Sequence, residues 1–163
     1  MDQQRRVIRA ATSGWNEVEV EGYRPGDAVD TGVSRYTLIG RRKGDPADPG
    51  PRSELRYFEV QPGKASRLEK HEHEHYVVVR EGDGYAIVGD AVSEVSPGDV
   101  VYVGPMELHQ FVNRGESPFG FFCMVDACRD IPQMPSPEDL ARLNASPAGE
   151  FAKPDAVPAP RIR

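Results

Sequence analysis

Cysteine is scarce: the 163 residues include two, Cys123 and Cys128. That excludes a disulfide framework and a cysteine zinc cage, and the pair is not spaced as C-x-x-C. Two reduced thiols fit a cytoplasmic protein. Long apolar runs are missing too. Nothing approaches the ~18–20 consecutive apolar residues of a membrane-spanning helix. The charged start, Met1 to Arg9, is not followed by the apolar stretch of a signal peptide. Basic charge is in deficit, with 20 Lys and Arg against 26 Asp and Glu and a formal net charge of −6. Phosphate neutralisation needs a basic surface, so this balance argues against nucleic acid as the main partner. Helical periodicity is nearly absent. No 10–15-residue helical pattern alternates with the apolar runs, which disfavours a βαβ architecture. No second helix is available for a helix-turn-helix reader. No G-x-S-x-G or P-loop string occurs.

What is abundant is turn chemistry. Gly (16) and Pro (15) punctuate short apolar runs rich in Val, Tyr and Phe. Strands are expected at 15–20, 33–39, 54–60, 76–79, 85–88, 100–103, 109–113 and 119–125. Their recurrence at roughly 8–12-residue intervals predicts an all-β sandwich or barrel. Three zones follow: a polar N-terminal arm over 1–14, a β-domain over 15–127, and a proline-rich extension over 128–163. Residues 41–53, charged and rich in Gly and Pro, read as a loop. One short helix is expected near 137–144, with Ser136 as N-cap, Pro137 at the first helical position and Asp139 in an acidic first turn.

Chemistry concentrates at Glu69-Lys70-His71-Glu72-His73-Glu74-His75, which holds three of the four histidines; the fourth is His109. Imidazole suits Zn, Cu, Fe and Ni, and carboxylate suits harder ions. Histidines two apart on an extended strand share a face, so two such strands could aim several nitrogens at one point. A solvated edge strand, kept soluble by alternating Glu and His, is the plainer reading. A loosely metal-binding surface tract is a third.

The surrounding spacing resembles the two cupin motifs. Gly63, five residues, Glu69, one, His71, three, His75, six and Gly82 follow the first; Gly98, five residues, Gly104, Pro105, Met106, two, His109, three and Asn113 follow the second. The agreement spans residues 63–113. The resemblance implies a cupin-type double-stranded β-helix, a jelly-roll barrel. It implies Glu69, His71, His75 and His109 as ligands of one divalent transition metal ion (Fe, Cu, Ni, Mn or Zn). Two departures stand out. Glu69 occupies the first histidine place and His75 the glutamate place, and Gly104 and Met106 replace the proline and glycine of the second motif. Glu69 could instead accept a hydrogen bond from a ligating imidazole. His73 is expected beside the site or exposed. Val77, Val79 and Phe111 are expected to line an apolar interior.

The function implied is a metal-dependent enzyme, dioxygenase-like, acting on a small organic substrate chelated at the ion. A non-catalytic binding or sensing cupin, or a cupin isomerase or lyase, is the alternative. The expected partners are a small-molecule substrate and a second copy in a homodimer, with no nucleic acid and no membrane.

Overall fold

Apolar side chains at alternate positions need one covered face, and in this chain two antiparallel sheets cover each other. The computed structural model describes residues 7–23, 28, 31–41 and 50–155. The expectations for the first six residues of the arm, for 42–49 of the loop and for the tail beyond 155 lie outside them. Among the described residues there are nine strands: β1 (Val20–Gly22), β2 (Val33–Ile39), β3 (Ser53–Val60), β4 (His75–Glu81), β5 (Gly84–Val88), β6 (Ala91–Val95), β7 (Val100–Val103), β8 (His109–Asn113) and β9 (Phe119–Asp126). One sheet has the order β1-β2-β3-β9-β4-β7, the other β6-β5-β8. Every pairing is antiparallel. This is the β-architecture the turn spacing predicts.

The period of two decides which residues meet between the sheets. In β4 the buried positions are His75, Val77 and Val79, while Tyr76 and Val78 face outward. Val77 and Val79 join Val33, Phe58, Phe111, Phe121 and others in the central core. β8 is buried at all five positions. Phe111 joins that central core, whereas Val112 joins a second cluster with Leu68, Ile87, Leu108 and Leu143.

That second cluster explains the C-terminal extension. Helix α1 (Pro137–Asn144) forms where expected, and Ser136 and Asp139 close a reciprocal capping box. Leu143 of α1 and Ala148, in the 3₁₀ turn Pro147–Glu150 that follows, are buried against the outer face of the small sheet. The Gln110 amide donates to the Ser66 and Lys153 carbonyls and accepts from the Lys153 N–H, as a strand neighbour would. The extension is therefore packed against the barrel at least as far as Lys153.

Two local expectations are corrected. The strand expected at 15–20 is β1 at Val20–Gly22 instead, with Trp15 in an isolated bridge to Ala10. Glu17 takes a φ of 60°, which interrupts an extended run. Trp15 packs edge-on against Tyr36, Tyr57 and Phe122. Strand β6 was not anticipated; four of its five residues are not buried, so its sequence carries little apolar alternation.

Candidate metal centre

His75 opens β4 in the large sheet and His109 opens β8 in the small one, so the site spans the gap between the sheets. His71 lies in the segment leading into β4. It is fixed to the turn before β8, whose Met106 N–H donates to the His71 carbonyl at 2.7 Å. Met106 has a φ of 59°. A left-handed residue is thus retained where the second motif has glycine, at the usual cost for a non-glycine side chain. One ring nitrogen from each of His71, His75 and His109 lies within 4.8 Å of the others.

Each ring is oriented from behind. Nδ1 of His71 is 2.8 Å from the His73 carbonyl, and Nδ1 of His109 is 2.9 Å from the Glu107 carbonyl. A carbonyl only accepts, so both Nδ1 atoms carry the proton and Nε2 keeps its lone pair. His75 Nδ1 contacts the Cys123 sulfur at 3.5 Å. The buried Nε2 atoms of His71 and His75 have no hydrogen-bond partner among the described residues. Buried orphan nitrogens are costly, and a cation they ligate would satisfy them.

The electrostatics agree. Burial, reinforced by the His109 and His73 rings, pushes His71 down to about 3. Burial pushes His75 well below the ordinary histidine value, assisted by His109 and by the Arg56 guanidinium. His109 is lowered chiefly by burial, opposed by its bond to the Glu107 carbonyl and by the Glu69 carboxylate. All three rings are neutral at pH 7, the form that binds a metal. A set of three imidazoles suits Zn, Cu, Fe or Ni with coordination positions left for oxygen ligands.

Glu69 is buried and lines the same cavity, accepting from the Tyr23 hydroxyl at 3.3 Å. Its backbone bridges that of His109 in both directions. It is not among the three groups whose ligand atoms converge. His73 also lines the cavity, but strand alternation does not put it there. Asp130 accepts from the Glu72 and His73 backbone N–H groups at 2.9 and 3.1 Å, and lies 2.6 Å from His73 Nδ1. These bonds bend the chain before β4 and lay the His73 ring flat on His71, with centroids 3.6 Å apart. The same bonds hold the Asp130 carboxyl below the usual carboxylate range, against its own desolvation.

The cavity holds about 320 Å³, in the range of small-ligand pockets. Phe58, Phe111 and Phe121 form an apolar wall; Arg35, Arg56 and Arg129 supply positive charge. Phe111 is where the sequence predicts it. Val77 and Val79 are instead packed in the core and do not reach the cavity. Asp130, Cys123, Arg56 and Tyr23 were missed because each lies outside both motifs, where no spacing marks it.

The family described as the cupin domain matches residues 56–125. The 1-methylthio-D-xylulose 5-phosphate methylsulfurylase of Rhodospirillum rubrum is 42% identical over 135 residues, covering 82% of each chain. A crystal structure of a cupin-2 domain from Rhodospirillum rubrum superposes with a TM-score of 0.73 at 38% identity, over 86% of this chain and 91% of that one. A cupin 2 conserved barrel domain protein from Rhodopseudomonas palustris gives the same score and identity over 89% and 97%. Motif spacing, sheet arrangement and relatives agree: the chain belongs to the cupin family, as a small single-domain member.

Proposed function

We propose that this protein is a metal-dependent enzyme acting on a small phosphorylated ketose that carries an alkylthio group, of the kind named for the Rhodospirillum rubrum relative. The carrying observation is 42% identity across 82% of the chain. The cavity chemistry supports it. His71, His75 and His109 would hold the ion, with Glu69 beside them. The bound ion would supply Lewis acidity toward adjacent oxygens of the substrate. The backbone carbonyls behind His71 and His109 keep the nitrogens aimed inward, so little reorganisation is needed on binding. The wall of Phe58, Phe111 and Phe121 would receive an apolar thioether and keep water from that side. The arginine-bearing side of the cavity, where Arg56 has no carboxylate paired with it among the described residues, suits a phosphate ester.

The test incubates the metal-loaded protein with 1-methylthio-D-xylulose 5-phosphate and a panel of low-molecular-weight acceptors, thiols included. Proton NMR follows the S-methyl resonance. Its displacement supports the reading, and an unchanged substrate refutes it. Oxygen uptake recorded in parallel addresses the dioxygenase chemistry expected from the family resemblance. Uptake without loss of the methylthio group would establish that chemistry instead. Tight binding with neither change would make the protein a binding module.

A further inference from the structure

Among the three arginines of the cavity, two already have carboxylate partners. Arg35 is paired with Glu21, and Arg129 with Glu54 at 2.7 Å. Arg56 differs. It is 8% exposed, and its Nε has no hydrogen-bond partner among the described residues. Its bond to a side chain runs from Nη2 to the Cys123 sulfur at 3.5 Å, a weak acceptor. Its guanidinium also lies 5.2 Å from the centre of the Phe58 ring, which steadies its plane without neutralising it. No carboxylate is paired with Arg56 among the described residues. A buried cation left in this state is unfavourable unless something anionic joins it.

We propose that Arg56 is the specificity-determining residue that receives the phosphate group of the substrate. The inference rests on the sugar-phosphate reading above and deepens it. Arg56 reaches the metal centre through Cys123, whose sulfur lies between the guanidinium and Nδ1 of His75. The guanidinium is thus set back from the converging nitrogens by a sulfur atom and an imidazole ring. A ligand with oxygens at one end and a phosphate at the other can engage both. The planar fork of an arginine matches two phosphate oxygens, which a neutral hydroxyl cannot exploit. The ligand class selected is therefore a phosphate monoester rather than a free sugar.

The test measures binding by calorimetry and thermal shift, using inorganic phosphate, glycerol 3-phosphate and glycerol as probes. Wild-type protein should bind both phosphates and not glycerol. Arg56→Met should weaken phosphate binding by at least about tenfold, the scale of one lost charge-assisted contact, while keeping its metal content. Should Arg56→Met fail to fold, Arg56→Gln carries the same expectation. Equal affinity in wild type and the neutral variant overturns the proposal, as does a wild type that does not distinguish glycerol 3-phosphate from glycerol. Arg56-dependent phosphate binding without turnover of the methylthio sugar would retain this inference and refute the proposed reaction. Turnover that survives Arg56→Met with an unchanged KM would do the reverse.

Discussion

An imidazole becomes a metal donor only when it is neutral and presents the correct nitrogen. Burial secures the first condition for His71, His75 and His109. Carbonyls behind His71 and His109 address the second, and the Cys123 sulfur lies 3.5 Å behind Nδ1 of His75. Glu69 acts on this group through its charge, which raises the His109 pKa against the effect of burial. Glu69→Gln removes that charge and keeps the shape. Metal affinity should fall by about tenfold or more, the usual consequence of losing a ligand or its supporting carboxylate, as read by competition with a chromophoric chelator. An unchanged affinity would place the Glu69 carboxylate outside the set that holds the metal. At this scale the three histidines were legible, because the motif spacings mark them. Asp130, Cys123 and Arg56 were not, since a sequence does not display which distant side chains will back a ring or face a cavity.

Strands and turns follow from local chemistry more directly. Gly82, between β4 and β5, has a φ of 70°, and a Cβ there would lie 2.3 Å from the Pro118 carbonyl oxygen. The first motif's closing glycine is thus required by backbone proximity. Asn113, at the end of the second motif, donates to the Val60 and Ser117 carbonyls and accepts from the Gly115 N–H. The short α1 was legible from Ser136, Pro137 and Asp139, but its role was not. Asp139 also pairs with Lys70 at 2.5 Å, which ties the helix beside the histidine segment. That ion pair and the cap hold the Asp139 carboxyl down to about 2, below the ~3.9 of an unfolded chain. A depressed carboxylate stabilises the fold above its unfolded value and ceases to do so as pH falls through its folded value. Asp139→Asn should therefore cost about 1–2 kcal/mol at pH 7, the scale of a lost cap with its ion pair. Urea denaturation should show the gap to wild type narrowing between pH ~4 and pH ~2. A gap independent of pH would contradict this account of the helix.

The whole molecule brings together what the chain separates. His75 stands on one sheet and His109 on the other, and the core between them sets their distance. Residues 127 and 129–132, leaving β9, line one side of the cavity, so the extension contributes to the site before it packs behind the small sheet. The all-β class was legible because turn residues recur at strand spacing. The correction at residues 15–20 and the unforeseen β6 both arise where burial depends on tertiary neighbours rather than on local alternation. Among the described residues no helix is long and apolar enough to cross a membrane.

Whether His71, His75 and His109 hold one cation is tested most directly by elemental analysis of the purified protein alongside His71→Ala, His75→Ala and His109→Ala. The account predicts about one divalent transition metal ion per wild-type chain and loss of that stoichiometry in each folded variant. Full metal content in all three variants, or a wild-type chain that takes up none under metal-replete conditions, would contradict it.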